Sequence, residues 1–146
     1  MDDNLILDTG PLGMITHPRE NEEIKEWFKT QIKNGKKIII PEIADYELRR
    51  ELLRGDKKKG IERLNTLEIK LLYLPLTTET ILKAAEFWST IRKAGKPTAD
   101  DKSLDGDVIL AAQAFIFGKD GQEVLVVSDN VGHLSRFVKA LSWRDI

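Results

Sequence analysis

The sequence predicts a single-domain α/β fold over residues 1–146, an α/β/α sandwich whose mainly parallel central sheet is covered by helices on both faces. Three observations predict it. Short β-branched or leucine-rich runs alternate along the chain with segments of helical spacing. Those runs are nearly continuously apolar, as strands buried on both faces are. No repeat, linker or low-complexity stretch divides the chain, and 146 residues with 41% hydrophobic content suffice for one core without disulfide or metal staples.

The elements follow in order. Asn4-Leu5-Ile6-Leu7-Asp8 is a short apolar run, and Asp8-Thr9-Gly10-Pro11 reads as the loop that ends it. Ile24, Trp27, Phe28 and Ile32 recur at helical spacing over residues 20–34, with Asn34-Gly35 as the stop signal. Lys37-Ile38-Ile39-Ile40-Pro41 is a second strand, followed by helical spacing from about 42 to 54. A break at Arg54-Gly55-Asp56-Lys57 precedes a short helix, 58–67, and Leu71-Leu72-Tyr73-Leu74 is a third strand. Thr77 or Thr78 caps the next helix, whose apolar face is Ile81, Ala84, Ala85, Trp88 and Ile91. Lys96 to Lys102 has turn formers and charges without apolar periodicity, which predicts a mobile surface loop. A helix rich in small residues, 105–117, comes next. Glu123 to Asp129 is the clearest buried strand, and Leu134, Phe137, Val138 and Leu141 suggest a final helix.

Composition narrows the chemistry. With no cysteine in the chain, a disulfide framework, a thiolate zinc site, an iron–sulfur cluster and a cysteine nucleophile are excluded together. The two histidines, His17 and His133, lack i, i+4 spacing, so an oxygen-ligated Mg²⁺ or Mn²⁺ is the metal these residues suit best. The start, Met1-Asp2-Asp3-Asn4, carries acids where a secretory signal carries Lys or Arg, and no apolar run reaches the roughly 18 to 20 residues of a membrane span. A soluble, cytoplasmic protein that meets no membrane is expected. The formal net charge of −1 hides a patchwork, because Lys33, Lys36, Lys37, Arg49, Arg50, Arg54 and Lys57 to Lys59 crowd the first half. Such runs face a polyanion or, more commonly, only solvent.

Ligands of parallel α/β sheets bind beyond the carboxyl ends of the strands, where Asp8 and Asp129 are the first polar groups. Glu47 shares the helix stripe of Ile43 and Ala44, and Asp107 opens the small-residue helix that can approach the sheet closely. Four acids from four segments, if packed together, raise one another's pKa unless a cation neutralises them. Each has a plainer role: a turn former for Asp8, a surface i, i+4 partner for Glu47, helix caps for Asp105, Asp107 and Asp129. Their conjunction in one fold favours a shared site.

The segments Leu7-Asp8-Thr9-Gly10-Pro11-Leu12, Tyr46-Glu47-Leu48-Arg49-Arg50-Glu51-Leu52, Asp107-Val108-Ile109-Leu110-Ala111-Ala112-Gln113-Ala114 and Val126-Val127-Ser128-Asp129 resemble, in order and spacing, the PIN-domain ribonucleases, and small bacterial members similar to VapC toxins in particular. The resemblance spans essentially the whole chain. It implies a PIN-like fold and a Mg²⁺- or Mn²⁺-dependent endoribonuclease that cuts RNA phosphodiester bonds, held inactive by a small antitoxin protein, with a homodimer as the assembly by analogy. Carried over to this chain, Asp8, Glu47, Asp107 and Asp129 are the catalytic and metal-binding acids and Asp105 a supplementary ligand. Thr9 and Ser128 are neighbouring hydroxyls that orient ligands or phosphate. Arg49, Arg50 and Lys57 to Lys59 are candidates to guide the RNA backbone. The chain departs from the family pattern at Val127, where Thr is common, and after the last acid, where Asn130-Val131-Gly132-His133-Leu134 replaces a short Asp-Phe ending.

Two rivals remain beside the nuclease. A PIN-like module without catalysis would bind RNA or a protein and use the acids as caps or for a structural ion. A phosphatase or phosphoacceptor would use Asp8 as nucleophile, but it needs a second Asp two residues on, where Gly10 stands, or a Lys at the end of a late strand, where Asp129 stands.

Overall fold

In the computed structural model, which describes residues 3–95 and 101–146 and only the backbone of 101–103, the alternation of the sequence becomes one parallel sheet. Among the described residues its strands are β1 (Asn4–Leu7), β2 (Lys37–Pro41), β3 (Leu72–Leu74), β4 (Val124–Val127) and β5 (Ala140–Leu141), in the order β3-β2-β1-β4-β5. The helices are α1 (Thr9–Thr16), α2 (Glu22–Lys33), α3 (Glu42–Arg54), α4 (Lys58–Lys70), α5 (Thr78–Lys93), α6 (Asp101–Phe117) and α7 (Val131–Leu134). From β1 the chain first builds outward through β2 and β3, then returns to the other side of β1 for β4 and β5. The crevice between β1 and β4 is therefore the topological switch point, where the loops leaving two adjacent strands diverge.

Strand alternation sorts the core into two layers. Leu5, Leu7, Ile38, Ile40, Leu125 and Val127 face a cluster completed by Leu12, Ile15, Ile24 and Leu64 from α1, α2 and α4. Ile6, Ile39 and Val126 point the other way, against Leu110, Ala111 and Ala114 of α6. A third cluster, Ala84 and Ile91 against Leu104, Val108 and Ala112, seats α5 on α6. The alanines let α6 lie close to the sheet. α3 straddles the sheet end, with Ala44 in the first cluster and Ile43 in the second. The buried Gln113 fastens that junction: its amide oxygen accepts from the backbone N–H of Ile43 at 3.2 Å and its nitrogen donates to the carbonyl of Leu74 at 2.8 Å.

Four expectations require correction. Asp8-Thr9-Gly10-Pro11 is not a loop but the start of α1, because a proline in the first helical turn loses no hydrogen bond that the helix needs. α6 begins at Asp101 rather than 105, so the end of the expected loop is helical, and its residues 96–100 lie outside the described residues. The expected last helix stops after one turn. Val138 lies in the bend that follows, its N–H donating back to the carbonyl of Leu134 at 3.1 Å, and Leu141 joins a short edge strand, where β5 pairs with β4 and the backbone N–H of Ser128 donates to the carbonyl of Leu141 at 3.0 Å. Pairing with an otherwise open strand edge outweighs helical spacing there. Trp88, expected in the core, is 39% exposed with the guanidinium of Arg92 over its ring, whereas Trp27 packs against the buried Trp143. No helix among the described residues is long and apolar enough to cross a membrane.

Candidate functional site

Strand register brings the first two acids to the switch point. Leu7 pairs with Val127, so Asp8 and Ser128 leave the sheet side by side, and the backbone N–H of Asp8 donates to the carbonyl of Val127 at 2.9 Å. Ser128 Oγ donates to Asp8 Oδ2 at 2.6 Å, and the N–H of Thr9 donates to Asp8 Oδ1 at 2.7 Å. Asp8 thereby caps α1 while its carboxylate stays in the crevice, so the turn-forming and site roles fall to one residue. Thr9 links two acids, since its hydroxyl donates to Glu47 Oε1 at 2.8 Å.

The other acids arrive from the helices. Asp8, Thr9, Glu47, Asp107 and Asp129 line one open cleft of about 400 Å³, together with Gly10, Arg50, Glu51 and Asn130. Glycines make room for two of the carboxylates. A Cβ built on Gly106 would lie 2.4 Å from Glu47 Oε2, and one on Gly10 would lie 3.2 Å from Asp129 Oδ2. Asp107 is held by His133, whose Nδ1 lies 3.1 Å from Asp107 Oδ2.

The cleft is electrostatically uncomfortable without a cation. Burial pushes the Asp8 carboxyl above its ordinary range, and the charges of Asp107 and Asp129 push it further, against the hydrogen bonds from Ser128 and Thr9. Glu47 is raised by burial and by Asp8 and Asp107, while Thr9 and Arg50 oppose the rise. Asp107 is raised by burial, with His133 and Asn130 acting the other way. All of these donors are hard oxygens, the set that suits Mg²⁺ or Mn²⁺, and a divalent cation would reverse the repulsion. Among the described residues no three His, Cys, Asp or Glu side chains stand grouped so as to hold a metal ion as they are, so the carboxylates line a cleft rather than a finished coordination shell.

Not every candidate reaches this cleft. Asp105 is exposed and lines a separate apolar depression with Ile81, Ala84 and Trp88, on the α5 side of α6. Arg49 is committed elsewhere: its guanidinium bonds Asp45 at 2.8 Å, Asn65 at 2.8 Å and Glu68 at 2.9 Å, which ties α3 to α4. Lys57 to Lys59 border another groove, with His17 and Arg19. Arg50 alone of the expected cations lines the carboxylate cleft, 5.1 Å above the Tyr46 ring.

Sequence reasoning missed Gly106, Asn130, His133 and Glu51 at the cleft. A glycine inside a helix is costly enough to signal a close approach, and Gly106 carried that signal between two aspartates. His133 lies in α7, just after the loop that leaves β4, but its pairing with α6 is not encoded in any local spacing.

The fold and cleft define a PIN-like α/β/α architecture, as the resemblance in the sequence implied. Solved structures agree over nearly the full length of both chains. VapBC2 from Rickettsia felis, bound to a DNA fragment from their promoter, matches with a TM-score of 0.75 at 15% identity, covering 96% of this chain and 98% of that one. FitAcB from Neisseria gonorrhoeae matches with a TM-score of 0.72 at 22% identity, covering 97% and 99%. DNA-bound VapBC from Salmonella typhimurium matches with a TM-score of 0.64 at 21% identity, covering 98% and 99%. Likeness at these identities establishes the fold. No family model matches the chain, and no curated protein matches it by sequence.

Proposed function

We propose that this chain is a Mg²⁺- or Mn²⁺-dependent endoribonuclease, the toxin of a toxin–antitoxin pair, which hydrolyses RNA phosphodiester bonds at the cleft of Asp8, Glu47, Asp107 and Asp129. The observation that carries the proposal is the convergence of these four acids, from the loops that leave β1 and β4 and from α3 and α6, on the switch point of a parallel sheet. Asp8 and Glu47 are oriented by Thr9 and Ser128, and Asp107 by His133, so the protein supplies fixed oxygen ligands. Held by these acids, a divalent cation would activate a water and stabilise charge on the scissile phosphate. Arg50, which lines the cleft, is the cation assigned here to the RNA backbone; Arg49, tied to Asp45 and Glu68, serves the scaffold instead. The partner half of the proposal is supported by the occurrence of chains of this fold in complexes named VapBC and FitAB.

The test is cleavage of a mixed structured RNA with added Mn²⁺ or Mg²⁺, comparing wild type with Asp8→Asn and Asp107→Asn. Metal-dependent cutting should fall by on the order of a hundredfold or more in each variant, the scale on which removal of one preorganised electrostatic group acts. No cutting by wild type, or cutting indifferent to both substitutions, would favour a PIN-like module that binds RNA or a protein without catalysis.

A further inference from the structure

The stretch that departs from the resembled pattern, Asn130 to Leu134, is also the stretch that reaches back to α6. His133 Nδ1 lies 3.1 Å from Asp107 Oδ2, and Asn130 acts with it to lower the Asp107 carboxyl against the effect of burial. The turn that carries both residues is tied down. The backbone N–H of Asn130 donates to Ser128 Oγ at 2.8 Å, and that hydroxyl donates to Asp8 Oδ2, so one chain of hydrogen bonds joins the turn to both aspartates. The carbonyl of Asn130 accepts from the N–H groups of His133 and Leu134 at 3.2 and 3.3 Å, which fixes the turn. Leu134, beside the histidine, is buried in the cluster that packs α6 against the sheet, so core packing sets where the imidazole stands.

We propose that His133, assisted by Asn130, is a positioning residue of the cleft, which fixes the orientation of the Asp107 carboxylate toward a bound divalent cation. This rests on the reading of Asp107 as a metal ligand. An ionised carboxylate only accepts hydrogen bonds, so Nδ1 carries the hydrogen in this pair. Side chains that hydrogen-bond a ligating group set its orientation, and their loss commonly costs about 10- to 100-fold in metal affinity or activity. His133 is one-third exposed and lies at the edge of the core, so it can be replaced without emptying a buried site. Asparagine is the informative replacement, because its amide nitrogen can stand where Nδ1 stands and its side chain otherwise resembles nothing of an imidazole.

The experiment is Mn²⁺ titration of the full chain without RNA, read by electron paramagnetic resonance, for wild type, His133→Ala, His133→Asn and Asp107→Asn, with thermal melting alongside and RNA cleavage as a second readout. His133→Ala should bind Mn²⁺ about 10- to 100-fold more weakly and lose kcat in proportion. Its KM for RNA and its melting temperature should stay near wild type, while His133→Asn should recover most of the affinity. Wild-type affinity in His133→Ala, with Asp107→Asn impaired, would overturn the positioning role and leave the nuclease reading standing. A loss in His133→Ala that His133→Asn does not repair would also overturn it. If wild type itself takes up no Mn²⁺, the metal-site reading fails and the positioning role falls with it.

Discussion

Glu47 and Gly106 share one small volume: the carboxylate of the first, on α3, occupies the place where a side chain on the second, in α6, would begin. A Cβ at 2.4 Å from Oε2 has no room, but the atom it meets is the far end of a flexible side chain. Gly106→Ala should therefore displace Glu47 rather than unfold the protein. Alanine gains about 1 kcal/mol in helix propensity over glycine, which offsets the local crowding. The expected outcome is a melting temperature within a few degrees of wild type together with a loss of metal-dependent cleavage of at least about tenfold. Circular dichroism melts and the RNA assay on the same preparation check both halves.

Asp8 provides a pH-linked test of electrostatic crowding. Its pKa in the folded chain is raised, first by burial and then by Asp107 and Asp129. A raised acid stabilises the fold when it is protonated, and this contribution is lost as pH rises through the raised value. At neutral pH without metal, Asp8→Asn should melt above wild type, and the gap should close on acidification below the ordinary carboxylate range. Added Mn²⁺ should raise the wild-type melting temperature more than that of the variant. An Asp8→Asn variant that melts lower than wild type in chelator at neutral pH would contradict this account.

The ion-pair network that ties α3 to α4 titrates separately. Glu68 is pushed up to about 7 by burial and by its neighbour Asp45, against the pull of Arg49. Burial also opposes the charge on Asp45, but hydrogen bonds from Glu68, Arg49 and Tyr73 outweigh it and leave Asp45 below its ordinary range. Glu68 therefore contributes stability that is complete below about pH 4.5 and lost as pH rises through about 7. The Asp45 contribution is lost only on acidification below its ordinary range. Between about pH 5 and 8 the fold should weaken with rising pH through Glu68, and Glu68→Gln should flatten that slope in a series of denaturant titrations.

Arg49 itself is a scaffold residue. Removing its guanidinium leaves Asp45 and Glu68 facing each other across α3 and α4. Arg49→Met should cost about 2 kcal/mol of stability, less than for a fully buried pair because the side chain is 29% exposed. RNA affinity measured on the folded variant should be unchanged, whereas Arg50→Ala should weaken it and lower its salt dependence.

Gln113 joins three elements through two hydrogen bonds, and the residue is 1% exposed. Gln113→Leu keeps the volume but strands the N–H of Ile43 and the carbonyl of Leu74. A loss of about 2 to 3 kcal/mol is expected in urea unfolding. Because Ile43 opens the helix that carries Glu47, cleavage should fall as well.

The sequence by itself determined the alternation of strands and helices and the ends of β1 and β4, because apolar runs and helical spacing are local properties of the chain. It also marked Asp8, Glu47, Asp107 and Asp129, since residues at strand ends and in a helix's first turns can be read from their neighbours. The start of a helix at Asp8-Thr9-Gly10-Pro11 rests on a local cap that was there to be read, whereas only the tertiary structure decided that Ala140 and Leu141 become an edge strand. In β5, hydrogen bonds to distant backbone outweigh local preference. The same holds within the cleft. Whether Arg49 meets a phosphate or Asp45 and Glu68, whether Asp105 turns toward the carboxylates or toward Trp88, and which histidine steadies Asp107 are set by the packing of α3, α4, α6 and α7. Those contacts join residues far apart in the chain, and their geometry exists only once the apolar faces have closed around the sheet.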